Sequence, residues 1–310
     1  MMKLVFFGTP NFAIPSLKKL HKSKHEICAV VTVQDKRYGR GLKKTPSPIK
    51  LTAEGLNYSI YQPPDLKDPD FLSIIKKIDA DIFVVVAYRI LPNLLISIPR
   101  EGAINIHASL LPKYRGAAPI HRAILNGENE TGVTAFKIQK TVDTGDILLQ
   151  ENYKLSKNIT TGEVYDSLAS IGAKLIVTTL DRLEKNELIS IPQDHASATS
   201  APKITSDDCL IDWHKSTDII HNQIRAFSSK PGAYTYLKKK RVKLFNTKIK
   251  NNSRTAALQP GEINYTNACL EVGTGNGIIH IYEIQIEGKK RLSVSQFVAG
   301  LSQIKGDYFG

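Results

Sequence analysis

At 310 residues, with 42% hydrophobic side chains, the chain is longer than a typical single domain and apolar enough to build a core in each of two. No apolar run approaches the roughly 20 residues that span a bilayer, and the first strand is expected from Lys3 with no room for a signal peptide, so a cytoplasmic monomer without membrane contact is expected. The formal net charge is +13, with 26 basic and 20 acidic side chains in residues 1–202 against 16 and 9 in residues 203–310; the carboxyl-terminal third is the more basic part, and a polyanion partner competes there with a merely solubilising surface. Cys28, Cys209 and Cys269 are odd in number and far apart, and the eight histidines show no HExxH spacing, so neither a disulfide framework nor a metal is expected.

Lys3 to Phe7 reads as an apolar strand closed by Gly8-Thr9-Pro10-Asn11 and followed by a helix to about Lys22. This first turn is not a dinucleotide fingerprint: it has no G-x-G-x-x-G, and Pro10 removes a backbone N–H that a phosphate cradle would use. Glu26 to Val33 reads as the second strand. After it, Lys36, Arg37, Arg40, Lys43, Lys44 and Lys50 fall within fifteen residues that contain no acid, interspersed with Gly and Pro. An open loop is expected up to Ser47, with Ser47-Pro48 capping a short helix through Glu54, and six cations without a counter-charge favour an arm that lies on phosphate.

Tyr58 to Tyr61 is expected as a short strand, Asp70 to Ile78 as a helix, and Ile82 to Ala87 as a strand buried on both faces of a parallel sheet. Leu91-Pro92 opens a short helix, Ala103 to His107 is a strand, Pro119 to Leu125 a helix, and Val133 to Gln139 and Ile147 to Tyr153 are strands. Thr161-Gly162-Glu163 begins a long amphipathic helix reaching Leu183. Strands alternating with helices indicate a doubly wound α/β domain over residues 1–188. Periodicity then fades, and residues 189–208 have linker composition.

In residues 209–310 a helix is expected near Asp218 to Phe227, followed by short strands at Ala233 to Leu237, Arg241 to Ile249, Leu270 to Val272 and Ile278 to Ile286. Short strands with Gly turns imply a small β barrel. Lys238, Lys239, Lys240, Arg241, Lys243, Lys248 and Lys250 make a second acid-free basic run on it, more than edge protection requires.

The chemistry is concentrated at the end of the strand Ala103 to His107. Asn105 and His107 project to one face, a turn rich in Pro and Gly follows, and Val142-Asp143-Thr144-Gly145-Asp146 lies beyond the next strand with a carboxylate to offer. Ser109 lacks the G-x-S-x-G elbow of an acyl-enzyme nucleophile. An amide, an imidazole and a carboxylate without a nucleophile suit direct transfer: Asn105 and His107 donate to an oxyanion, while Asp143 fixes the ring and takes up a proton.

The run Asn105-Ile-His-Ala-Ser-Leu-Leu-Pro-Lys-Tyr-Arg-Gly-Ala-Ala-Pro-Ile120, with Val142 to Asp146, resembles the signature of the folate-dependent formyltransferases. Phe6-Phe-Gly-Thr-Pro-Asn-Phe-Ala13, Thr45-Pro-Ser-Pro-Ile-Lys50, Ile211-Asp-Trp213 and Gly288-Lys-Lys-Arg-Leu-Ser293 narrow the resemblance to the methionyl-tRNA formyltransferase family, over essentially the whole chain. The resemblance implies a Rossmann-like domain with a mostly parallel sheet plus an OB-like carboxyl-terminal barrel. It also implies transfer of a formyl group from 10-formyltetrahydrofolate to the α-amino group of methionyl initiator tRNA. Carried over position by position, the catalytic residues are Asn105, His107 and Asp143. Folate contacts are Ser109, Leu110, Leu111 and Pro112; Tyr88 and Arg89 are added as cofactor-binding candidates from the loop expected to border the folate pocket. The tRNA-reading insertion corresponds to the loop with Lys36, Arg37, Arg40, Lys43 and Lys44, Arg40 matching its central arginine, and the basic run on the barrel adds Lys238, Lys239, Lys240 and Arg241 as tRNA contacts.

Two departures stand out. The family's Ala-Tyr-Gly, one residue, Ile-Leu-Pro is one residue shorter here, as Ala87-Tyr88-Arg89-Ile90-Leu91-Pro92, in a loop expected to border the folate pocket; and Asn-Pro-Trp-Pro-Gly reads Ser228-Ser229-Lys230-Pro231-Gly232. Two alternatives remain open on sequence: an enzyme of the same superfamily acting without tRNA, on an amino sugar or as a formyltetrahydrofolate hydrolase, and a tRNA binder with weakened catalysis.

Overall fold

In the computed structural model, which describes residues 1–38, 43–249, 258–266, 268–299 and 307–310, the chain begins with the strand Lys3–Gly8 (β1). Leu4 to Phe7 are fully buried, as a continuous apolar run requires. A single 3-10 turn at Asn11–Ala13 leads into Ile14–His21 (α1), where Pro15 sits in the first turn because its missing N–H is an orphan there anyway. The strand Glu26–Val31 (β2) follows.

The Gly- and Pro-rich stretch expected as an open loop instead forms a hairpin: Lys36–Tyr38 (β3) pairs antiparallel with Lys43–Thr45 (β4), Arg37 opposite Lys44. Antiparallel pairing satisfies backbone groups that a loop would leave to water, and period-2 pairing needs only three residues a side. The helix Pro48–Gly55 (α2) starts as its sequence requires, with the Ser47 hydroxyl accepting from the Lys50 N–H at 3.0 Å. Next come Ile60–Tyr61 (β5), Pro69–Lys77 (α3) with its Asp68 cap, Ile82–Val86 (β6), Asn93–Ile96 (α4) and Ala103–His107 (β7). Pro119–Leu125 (α5), Glu130–Lys137 (β8), Ile147–Lys154 (β9) and Thr161–Glu184 (α6) complete this half of the chain. The strand expected from Val133 thus starts three residues earlier, extended by pairing of Glu130 with Lys154 and Thr131 with Tyr153.

Two compact units emerge from the contacts. The first holds residues 1–117, 130–154 and 165–201. Its seven-stranded sheet runs β5-β2-β1-β6-β7-β8-β9, parallel from β5 to β7, with β8 and β9 antiparallel at one side. The winding reverses at β1, with β2 on one side and β6 on the other, so a ligand crevice is expected at the carboxyl ends of the strands. One core cluster gathers Val5, Phe7, Phe83, Val85, Phe71, Ile75 and Leu95, with the Phe7 and Phe83 ring centroids 5.1 Å apart. Each such side chain contributes roughly 1.5–3 kcal/mol when taken fully out of water.

The second unit holds residues 118–129, 155–164 and 202–310. Thr217–Phe227 (α7), capped by Ser216, packs its Ile220, Ile224 and Phe227 into a core built by Ala233–Leu237 (β10), Lys240–Ile249 (β11), Ile263–Tyr265 (β12), Leu270–Gly273 (β13) and Ile278–Ile286 (β14); the short strand Leu292–Ser293 (β15) follows. A short helix, Val294–Ala299 (α8), follows. The antiparallel sheet runs β10-β11-β14-β13-β12, with β15 beside β14. Its two end strands are joined by the segment 307–310: Phe309 bridges Leu237 of β10, and Tyr308 bridges Glu262 next to β12. Backbone bonds from Phe309 N to Gly261 O (2.9 Å) and from Gly310 N to Tyr236 O (3.0 Å) hold that segment in place. Trp213 stacks on Phe309 at 5.4 Å and donates its indole N–H to Thr235. Among the described residues, no helix is long and apolar enough to cross a membrane.

Candidate active site at the end of strand β7

Strand β7 sets Asn105 and His107 two residues apart, opposite Phe136 and Thr134 of β8. The Asn105 Oδ1 is buried and has no hydrogen-bond partner among the described residues. A buried amide oxygen left unpaired costs about 1–3 kcal/mol, so its retention points to a ligand group that completes it.

His107 is buried, its ring edge-on to Phe136. Its Nε2 lies 2.8 Å from the Tyr114 carbonyl oxygen. A carbonyl only accepts, so Nε2 carries a proton, and Nδ1 carries one only when the ring is cationic. That Nδ1 faces Oδ2 of Asp143 at 3.7 Å, longer than a direct hydrogen bond. The same Oδ2 accepts the Gly116 N–H at 2.8 Å. Imidazole and carboxylate side chains are 7% and 9% exposed, so their mutual field is little screened by water.

The turn that carries Asp143 is tightly specified. Asp143 adopts φ 54°, in the left-handed region that Asp tolerates better than most residues. A Cβ on Gly145 would lie 1.7 Å from the Lys137 carbonyl oxygen, so only glycine fits there. Gln193 holds this turn from the other side, its Nε2 donating to the carbonyls of Asp143 (3.0 Å) and Gly145 (2.7 Å). Arg115 donates to Gln193 Oε1 from Nε (3.1 Å) and Nη2 (2.6 Å). Residues around 200 are pinned to the same loop: Tyr114 N donates to Thr199 Oγ1, Arg115 N to Thr199 O, and Ala201 N to Arg115 O.

The expected folate-binding stretch is held from below. Thr134 Oγ1 donates to the Ser109 carbonyl at 2.7 Å and accepts from Leu111 N at 3.1 Å and Gln150 Nε2 at 2.8 Å; Gln150 also donates to the Leu111 carbonyl. Ser109 Oγ donates to the Lys113 carbonyl, and Leu110 to Pro112 form the turn between them. Arg89, in the shortened loop, is anchored: Nη1 donates to the Pro64 carbonyl, and Nη2 to the Pro63 carbonyl and the Tyr88 hydroxyl. Burial pushes the Tyr88 phenol upward against the Arg89 hydrogen bond, and its ring packs 5.6 Å from Phe7.

Of the basic positions, Lys36 and Lys44 are exposed, Arg37 and Lys43 are backbone members of the β3–β4 hairpin, and Arg40 lies outside the described residues. The run counted as free of counter-charge is partly neutralised from just outside it, since Lys50 pairs with Asp35 at 2.7 Å. On the second unit, Lys238 and Lys239 have φ 48° and 65° and form the two-residue turn between β10 and β11. That turn requires φ > 0 at both positions, where Asn-Gly is the usual occupant. Lys238 pairs with Asp307 at 2.8 Å, and the Arg241 guanidinium lies 3.6 Å from the Tyr234 ring centroid; Lys239 and Lys240 are exposed and make no ion pair among the described residues.

Sequence reasoning thus missed Thr134, Gln150, Gln193 and Thr199, and used Tyr114 and Arg115 only as motif letters. Thr134 and Gln150 sit on strands whose alternation could have flagged them as facing the loop. Gln193 gave no signal, because it lies where periodicity fades.

The family model described as Formyl transferase matches residues 2–180, and Formyl transferase, C-terminal domain, matches residues 203–302. The methionyl-tRNA formyltransferase of Pelotomaculum thermopropionicum is 43% identical over 311 residues, covering 100% of this chain and 99% of its own. Among solved structures, an N-formyltransferase from Helicobacter canadensis in complex with folinic acid and dTDP-3-aminofucose superposes with TM-score 0.69 at 22% identity, covering 91% of this chain and 98% of that one. HypX from Aquifex aeolicus in complex with tetrahydrofolic acid gives TM-score 0.67 at 19% identity; it covers 99% of this chain, which spans about half (48%) of its length. Likeness at that identity concerns the fold alone, whereas 43% identity from end to end and two matched family models place the sequence firmly: the chain belongs to the formyl transferase family, in its methionyl-tRNA formyltransferase branch.

Proposed function

We propose that this chain transfers the formyl group of 10-formyltetrahydrofolate to the α-amino group of methionine esterified to initiator tRNA. The observation that carries the reaction is the buried, unpartnered Oδ1 of Asn105 on the strand that also presents His107 to Asp143. End-to-end similarity to a relative named for this acceptor supports the tRNA.

The co-substrate supplies a formyl carbonyl attached to a nitrogen leaving group. Asn105 Nδ2 donates to the formyl oxygen as negative charge develops, and its Oδ1 accepts an N–H of the attacking amine. An α-amino group, with a pKa of roughly 7.7–8.0, is partly neutral at pH 7 and needs little help to attack. As the new N–C bond forms and the old one breaks, Asp143 takes the amine proton, directly or through water, and returns it to the departing nitrogen. His107, with Nε2–H held by Tyr114, adds positive charge on the Nδ1 side when its ring is protonated. Ser109 to Pro112, Tyr88 and Arg89 border the folate. Lys36, Arg37, Arg40, Lys43 and Lys44 on one unit and Lys238 to Arg241 on the other neutralise tRNA phosphates.

The test supplies the full chain with formyl-tetrahydrofolate and charged initiator tRNA, then with an amino-sugar nucleotide. Formylmethionyl-tRNA is the expected product. Formylation of the sugar alone, or tight tRNA binding without turnover, overturns the reading.

A further inference from the structure

We infer that Gln193 is a positioning residue for the reaction, holding the Asp143 carboxylate in register with the His107 ring; this rests on the formyl-transfer reading above. The argument begins with the chemistry of a primary amide. It has two N–H donors and one oxygen acceptor, and all three functions are used here: Nε2 donates to two carbonyls of one turn, and Oε1 accepts two N–H groups of Arg115. Gln193 is 6% exposed, so each of these bonds is made where water does not compete well.

The bonds close a circuit. Arg115 lies between Tyr114, whose carbonyl takes the His107 Nε2–H, and Gly116, whose N–H goes to Asp143 Oδ2. The three consecutive residues 114–116 therefore touch the histidine by backbone, the turn by way of Gln193, and the carboxylate by backbone. Removing the amide takes away the bond to the Asp143 carbonyl and, among the described residues, leaves the Gly116 N–H as the hydrogen bond that ties the carboxylate to this loop. The Asp143–His107 separation of 3.7 Å is already longer than a hydrogen bond, so no direct bond to the ring holds the carboxylate in place, and an outward shift of the turn displaces it from its position beside the imidazole.

Two variants separate positioning from mere cross-linking. Gln193→Leu removes every polar function. Gln193→Glu keeps, and by charge strengthens, the tie to Arg115, yet turns an acceptor oxygen toward the carbonyls of Asp143 and Gly145. If Gln193 acts through the turn, both variants lose about 10-fold to 100-fold in kcat with less than a twofold change in KM for tRNA. Measured as a ratio to wild type at each pH, the activity of the Glu variant alone rises as pH falls, because its protonated carboxyl donates one of the missing bonds. Hydrogen exchange of the Gly116 amide, read on the full chain without substrates, is expected to accelerate in both variants. Wild-type kcat and wild-type Gly116 exchange in Gln193→Glu overturn the inference. A wild-type chain inactive on charged tRNA overturns the functional reading instead, and the exchange measurement then still decides whether Gln193 holds the turn.

Discussion

Gly145→Ala tests how tightly the fold specifies the carboxylate. A Cβ at this position would stand 1.7 Å from the Lys137 carbonyl oxygen and 2.8 Å from its carbon, whereas real Cβ contacts essentially never fall below 3.0 Å. The nearest atoms are backbone at the end of β8, where Lys137 N also donates to Asp146 O at 3.0 Å, so no side chain can swing aside. The turn must move by more than an ångström. That displacement breaks the Gln193 bond to Gly145 O and carries Asp143 away from His107. A misplacement of this size costs roughly 10²-fold in rate when the displaced group handles a proton. Single-turnover formylation of charged tRNA is the assay, with Gly162→Ala as the control; its nearest neighbour outside the helix, Thr160 Oγ1, lies 4.0 Å from the added carbon. The expected result is a single-turnover rate constant about 10²-fold lower for Gly145→Ala and unchanged for the control. Full activity in Gly145→Ala would refute the claim that this turn sets the carboxylate.

His107→Ala is expected to lower turnover by about 10²–10³ while leaving tRNA affinity unchanged, by analogy with loss of one electrostatic stabiliser, and wild-type turnover would remove His107 from the mechanism. Thr134→Val leaves the buried Leu111 N–H without its acceptor, so denaturant unfolding should show a loss of about 1–3 kcal/mol together with a raised KM for folate; a change in neither would mean that the loop is held elsewhere. Burial holds His121 and His221 below the ordinary 6.5, so the unfolded chain takes up protons that the folded chain refuses. Their contribution to stability is fully present above about pH 6.5 and is lost as pH falls toward their folded values, and melting temperatures should drop accordingly between pH 7 and 5. His221→Asn should flatten that slope, and an unaltered slope would assign the acid sensitivity to other groups.

The parallel strands were legible as continuous apolar runs buried on both faces, and the long helix Thr161–Glu184 because burial imposes a helical period on its side chains. Asn105, His107 and Asp143 stood out because packing alone does not explain an amide, an imidazole and a carboxylate at strand ends. The β3–β4 hairpin was hidden by its composition: Gly and Pro signal a turn but not whether the flanks pair. Strands Ile263–Tyr265 and Leu292–Ser293 are too short for alternation to register. Gln193 was illegible for a deeper reason, since its partners are backbone carbonyls fifty and forty-eight residues away and no local pattern encodes them.

The bridges from Tyr308 and Phe309 to Glu262 and Leu237 also order events during synthesis. Strands β10 to β14 leave the ribosome with two unpaired edges, and the segment that covers both follows them. Until Tyr308 and Phe309 emerge, the nascent barrel presents open strand edges at Leu237 and Glu262 to any other extended chain nearby.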